Sequence, residues 1–217
     1  MRRPARLPAS LVPILSLAAV LSVAQRPVAA EQLFRYDFDS GTTNPSSVVS
    51  GVTASPITAQ NLSTTIFANV YQTSNYGSTF DSSKYFEFTA TAASGKALDL
   101  TSLRFTPETP SQANALTAYV RSSVDSFVST IYTRNIPSNS FFFNETIDLT
   151  GAAYQDLATI TFRFYGTSPS TSSILYYDAV NLNGSVVNAV PEPSTYAMAL
   201  AGLACGGFST WRRRKRA

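Results

Sequence analysis

The chain has 217 residues, 16 Lys/Arg against 13 Asp/Glu for a net charge of +3, no histidine and one cysteine. Residues 1–30 carry four arginines and no acid and residues 191–217 carry five cations and Glu192, so residues 31–190, with seven Lys/Arg against twelve Asp/Glu, stand at −5. An acidic middle has no basic stripe to release counterions from phosphates, which excludes nucleic acid as a partner. With no histidine and Cys205 alone, the common zinc sites, Ser-His-Asp triads and Cys-His pairs cannot be built.

The first 30 residues read as a secretory signal peptide. Three arginines in "MRRPAR" precede an apolar run over 11–24, and Val28 and Ala30 occupy the minus-three and minus-one positions of a cut before Glu31. At about 14 residues the run is short of the roughly 20 that span a bilayer, so cleavage between Ala30 and Glu31 is expected. An exported domain without disulfides must stand on its hydrophobic core. Some 160 residues suffice, burying roughly 70% of the unfolded surface.

From 31 to 188 the chain reads as one all-β domain of short strands separated by polar turns. In "LFRYDFD" (33–39), Phe34, Tyr36 and Phe38 fall on one face and Arg35, Asp37 and Asp39 on the other. Segments 84–92 and 97–106 flank a hairpin-like "ASGK", where Gly95 is free to take a positive φ. Further strands are expected at 114–123, 127–134, 141–149, 158–166 and 173–184, one helical turn within 150–158, and an irregular stretch with one or two edge strands over 40–63. Aromatic and β-branched residues at period two, with turns every 8–15 residues or so, define a single antiparallel β-sandwich.

The opening "YDFDSG" and the closing "YYDAVNLNG" resemble the first and last strands of galactose-binding-like jelly rolls, many of them carbohydrate-binding modules. That resemblance implies a jelly-roll-like sandwich and a structural calcium held by Asp39 and Asp178, with Ala179 replacing a residue that is usually Asp or Asn. The plainer reading has Asp39 capping a turn and Asp178 facing solvent. Another strand-turn-strand, "LTAYVRSSVDSFVSTI" (116–131), resembles a segment of jelly rolls that share this chain's tail; Arg121 and Asp125 there are candidates to contact a ligand, and the plainer expectation is that they pair across the turn.

The loop "NVYQTSNYG" (69–77) offers Tyr71 and Tyr76 beside Asn69, Gln72 and Asn75, a platform of the kind that stacks on sugar rings. The alternative has both tyrosines packed on a sandwich edge. Carboxylates such as Asp37 with Asp39, Glu87 with Asp99 and Glu145 with Asp148 are spaced as a glycoside hydrolase would need them, but twelve acids in a secreted domain produce such pairs by chance.

The chain closes with Pro191, Glu192 and Pro193, an apolar small-residue stretch over 196–211, and cations from Arg212 to Arg216. The prolines deny the backbone a helix and leave this site extended. The tripartite tail over 189–217 resembles the PEP-CTERM sorting signal of Gram-negative bacteria. The resemblance implies a transient inner-membrane tether through the apolar helix and processing by exosortase. It also implies a final place at the cell surface or in the extracellular matrix, among the exopolysaccharides of a biofilm. The expected protein is non-enzymatic, either a matrix component or a lectin-like module binding extracellular polysaccharide.

Overall fold

The computed structural model of the chain describes residues 31–110, 114–138 and 141–189. The signal peptide with Ala30 and the tail with Pro191, Glu192 and Pro193 lie outside the described residues. Thirteen strands follow one another: β1 (Glu31–Tyr36), β2 (Ser47–Val48), β3 (Val52–Ala54), β4 (Thr58–Gln60), β5 (Ser63–Phe67), β6 (Val70–Ser74), β7 (Tyr85–Ala92), β8 (Lys96–Glu108), β9 (Leu116–Ser122), β10 (Thr130–Ile136), β11 (Glu145–Asp148), β12 (Thr159–Thr167) and β13 (Leu175–Asn188). Short 3-10 turns at Ser123–Asp125 and Ala152–Tyr154 are the helical pieces among the described residues.

The strands form two antiparallel sheets. A seven-stranded sheet runs β11-β8-β13-β1-β2, with β6 also on β13 and β5 outside β6; a six-stranded sheet runs β10-β9-β12-β7-β3, with β4 also on β7. β13 is the spine of the first sheet. One edge pairs with β8 along almost its whole length, and the other takes β6 at Leu175 to Tyr177 and β1 at Val180 to Gly184.

Period-two alternation drives the packing. Phe34 and Tyr36 of β1, Phe86 and Phe88 of β7, Phe105 of β8, Phe162 and Phe164 of β12 and Tyr177 of β13 are all buried between the sheets. Phe86 stacks on Phe164 with ring centroids 4.6 Å apart and meets the edge of Tyr177 at 4.9 Å. Aromatic volume thus does the work that disulfides perform in other exported domains.

Three expectations shift at their boundaries. The strand expected at 127–134 is displaced to Thr130–Ile136, because Ser126 and Phe127 take left-handed backbone after the 3-10 turn. The strand expected at 141–149 shrinks to Glu145–Asp148, leaving Phe141 at 84% exposure. The loop expected at 69–77 contains β6, which sequence reading missed.

Candidate functional site

The tyrosine platform is corrected by β6. Pairing with β13 turns Tyr71 inward, where it stacks on Phe38 at 5.4 Å and meets the edge of Phe86 at 5.3 Å. Tyr76 is wholly buried, its hydroxyl satisfied by Thr73. Neither ring presents a face to a sugar, and neither hydroxyl stands in water as the edge-packed alternative required. Both are core residues.

Arg121 and Asp125 do not pair either. The Arg121 guanidinium donates to the Phe127 carbonyl oxygen at 2.9 Å and lies 4.2 Å over the Phe80 ring, while Asp125 accepts the Ser129 amide at 2.8 Å. Beside them Arg163 sits between Tyr85 and Phe127, 4.1 and 3.8 Å from the ring centroids, with its Nε on Glu87 at 2.7 Å. The outer face of the six-stranded sheet is therefore largely closed on itself: the rings of Phe80, Tyr85, Phe127 and Tyr165 are already covered by guanidinium groups.

The outer face of the seven-stranded sheet is different. Its register lines up Thr146, Arg104, Asn181, Arg35 and Ser47 in one row across β11, β8, β13, β1 and β2. Four strand spacings make that row about 19 Å long. A second row sets Asp148, Ser102, Asn183 and Gln32 beside it, and a third runs Thr65, Gln72, Tyr176 and Glu108 across β5, β6, β13 and β8. Several of these groups satisfy one another: Asn183 donates to Ser102 at 3.1 Å and Gln32 to Ser47 at 3.1 Å.

Two atoms of the first row are not satisfied. Arg35 Nε and Asn181 Oδ1 are shielded from solvent and without a hydrogen-bond partner. One is a donor and the other an acceptor, on residues directly opposite each other in the ladder. Among the described residues the ion pairs are Arg134–Glu145 and Arg163–Glu87, so neither Arg35 nor Arg104 belongs to one.

Asp178, at the end of this face, lies within electrostatic reach of Asp39 and Asp37. Partial burial holds the Asp178 carboxyl above its usual range; Arg35 opposes that, and Asp39 and Asp37 add to it by repulsion. Glu108 is raised in the same direction by burial and by Asp178. Glu108 lies beyond the strand expected at 97–106 and reaches this end only because β8 runs on past residue 106. Among the described residues no three acidic groups are arranged to hold a metal ion.

A carboxyl raised in the fold binds its proton more tightly there than in the unfolded chain. Its stabilisation is present at low pH and lost as pH rises through the folded value. Asp178→Asn is accordingly expected to raise the melting temperature at pH 7 by roughly 1–3 °C and to leave it unchanged at pH 3, read by thermal melts at both values.

The fold and this face define an all-β sandwich with one closed and one open polar sheet surface. Residues 189–215 match the PEP-CTERM protein-sorting motif, so the chain carries the signal of exported proteins targeted to an exosortase. No curated protein shows significant similarity to the chain. Among solved structures, CBM29_1, a family 29 carbohydrate-binding module from Piromyces equi, is 10% identical, with 73% of this chain and 93% of that one covered and a TM-score of 0.42. The CBM22-1 xylan-binding domain of Paenibacillus barcinonensis Xyn10C is 12% identical, with 75% and 98% covered and a TM-score of 0.42. A cleaved adhesin domain of Lys-gingipain from Porphyromonas gingivalis is 11% identical, with 71% and 98% covered and a TM-score of 0.41.

Proposed function

We propose that this chain is a non-enzymatic cell-surface protein of the extracellular matrix, and that it holds extracellular polysaccharide on the outer face of its seven-stranded sheet. The observation that carries the reading is the unpartnered pair Arg35 Nε and Asn181 Oδ1. A shielded donor and a shielded acceptor side by side each cost free energy unless a ligand or water answers them. A sugar hydroxyl can answer either one, accepting from the guanidinium or donating to the amide oxygen, once the side chain turns outward to meet it. A sugar chain offers such hydroxyls at every ring, and the flanking Arg104, Asn183, Tyr176 and Asp178 supply further donors and acceptors along the same surface.

Catalysis is disfavoured by what the other carboxylates do. Glu87 is bound to Arg163, Glu145 to Arg134, Asp99 accepts the Asp156 amide at 2.8 Å and Asp148 accepts the Thr150 amide at 2.9 Å. These structural engagements occupy both members of two of the expected acid pairs; in the third, Asp37 accepts the Asp39 amide at 3.3 Å and both residues lie on the loop that follows β1.

The test is a titration of the mature chain with the host's own extracellular polysaccharide. Saturable binding, competed by a defined oligosaccharide, is expected. Arg35→Ala and Asn181→Ala should each weaken it about 10- to 100-fold, the loss of a charge-assisted or buried hydrogen bond. Tyr71→Phe should bind as the parent does. Non-saturable association, or binding indifferent to Arg35 and Asn181, would reduce the domain to a passive matrix spacer.

A further inference from the structure

The sheet continues almost to the sorting motif. Asn188, the last residue of β13, pairs with Lys96, the first of β8, and the Lys96 ammonium donates to Asn188 Oδ1 at 2.8 Å. One residue further on, the Ala189 amide still donates to the Gly95 carbonyl oxygen at 3.0 Å. The motif match begins at that same residue, 189. Only Val190 separates the last residue bonded to the sheet from Pro191. Two residue steps of fully extended chain reach at most about 7 Å.

A peptidase that reads an extended Pro-Glu-Pro must enclose it between walls of its own. With so short a tether, the folded end of the sandwich lies against those walls. That end is formed by residues 93–96, all exposed, and the close of β13. It is small, polar and regular: Ala93, Ser94 and Gly95 carry almost no side chain, and the Lys96 charge is held by Asn188. The carboxylate end of the polar face lies at the other pole. Asp178 stands ten residues back along β13, about 33 Å of strand away.

We propose that the pole built from residues 93–96 and the end of β13 is the surface on which the sorting peptidase docks while it holds Pro191, Glu192 and Pro193. The inference rests on the tail being an exosortase signal, and it adds a contact made by the folded domain to recognition of the tail itself. The opposite pole points away from the membrane during processing, which leaves the polar face free to meet polysaccharide before the tail is removed.

The experiment places a photo-crosslinking amino acid at Ser94, and separately at exposed Ser40 near the far pole, in the full chain expressed in its host. The expected result is an adduct from Ser94 whose partner is identified by mass as the membrane peptidase. That adduct should vanish when Pro191, Glu192 and Pro193 are replaced by alanine, and Ser40 should give none. Inserting a Gly/Ser segment of roughly twelve residues between Asn188 and Ala189 should lower the Ser94 adduct at least tenfold by moving the pole out of reach. Tail removal followed by mass, with no Ser94 adduct or with equal adducts at both positions, would overturn the docking surface and leave the sorting reading intact. A chain that keeps its tail and gives no adduct would overturn both.

Discussion

Phe86→Ala is expected to cost about 3–5 kcal/mol, the loss seen when a large buried aromatic is deleted and its site collapses only partly. Phe86 has no solvent exposure and sits where the sheets meet: stacked on Phe164, edge-on to Tyr177 and in contact with Tyr71. Its neighbours are themselves rings held by other rings, since Phe164 also meets Phe105 at 5.2 Å and Phe88 at 6.1 Å. Rigid rings fixed on several sides cannot swing in to fill the space. Urea unfolding should therefore show a lower midpoint with an unchanged slope. A loss under about 1 kcal/mol would mean that the core repacks freely, and the view of an aromatic lattice replacing disulfides would fall.

Gly184→Ala should be comparably severe, about 3 kcal/mol, for the opposite reason: too much volume rather than too little. Gly184 stands at the register shift of β13 after Asn183. A Cβ there would fall deep inside contact distance of the Asp99 carbonyl oxygen and 3.0 Å from Leu100 Cα. Both are backbone atoms in a paired strand, so no side-chain rotation relieves the clash. The sheet must open between β8 and β13, or the chain must bend. Gly95→Ala is the informative contrast, because nothing lies within 4 Å of a Cβ there and the cost is backbone strain at its φ of +73° alone. If both variants melt with the parent, the close approach of β13 to β8 is wrong.

The fold was readable because strands announce themselves by alternation, and here the alternation is loud. Phe34, Tyr36 and Phe38 mark the buried face of the opening strand before any coordinate is known, and Arg35 marks its outer face. Tyr71 and Tyr76 were misread because their segment carries turn-forming Asn69, Asn75 and Gly77 at its ends. Asn69 and Asn75 do take turn conformations, with positive φ, yet Tyr71, Gln72 and Thr73 between them still pair with β13. Local composition cannot report a partner strand a hundred residues away. The candidate face was hidden for the same reason: Arg35, Arg104 and Asn181 are ordinary exposed residues in sequence, and only the register of three strands sets them side by side. Asp178 feels the charge of Asp39, and Glu108 feels that of Asp178, a neighbour that no spacing in the sequence announced.

The spine strand has a mechanical meaning. A load between bound polysaccharide and the tail would enter near Asn181 and leave at Asn188, both on β13. Tension then travels along seven residues of one chain and does not cross an interface that could open. The hydrogen bonds to β8 lie perpendicular to that pull, so they are sheared together and cannot be broken one after another. If the proposed polysaccharide contact holds, the domain carries that contact and its route to the membrane on one strand for as long as the tail is attached.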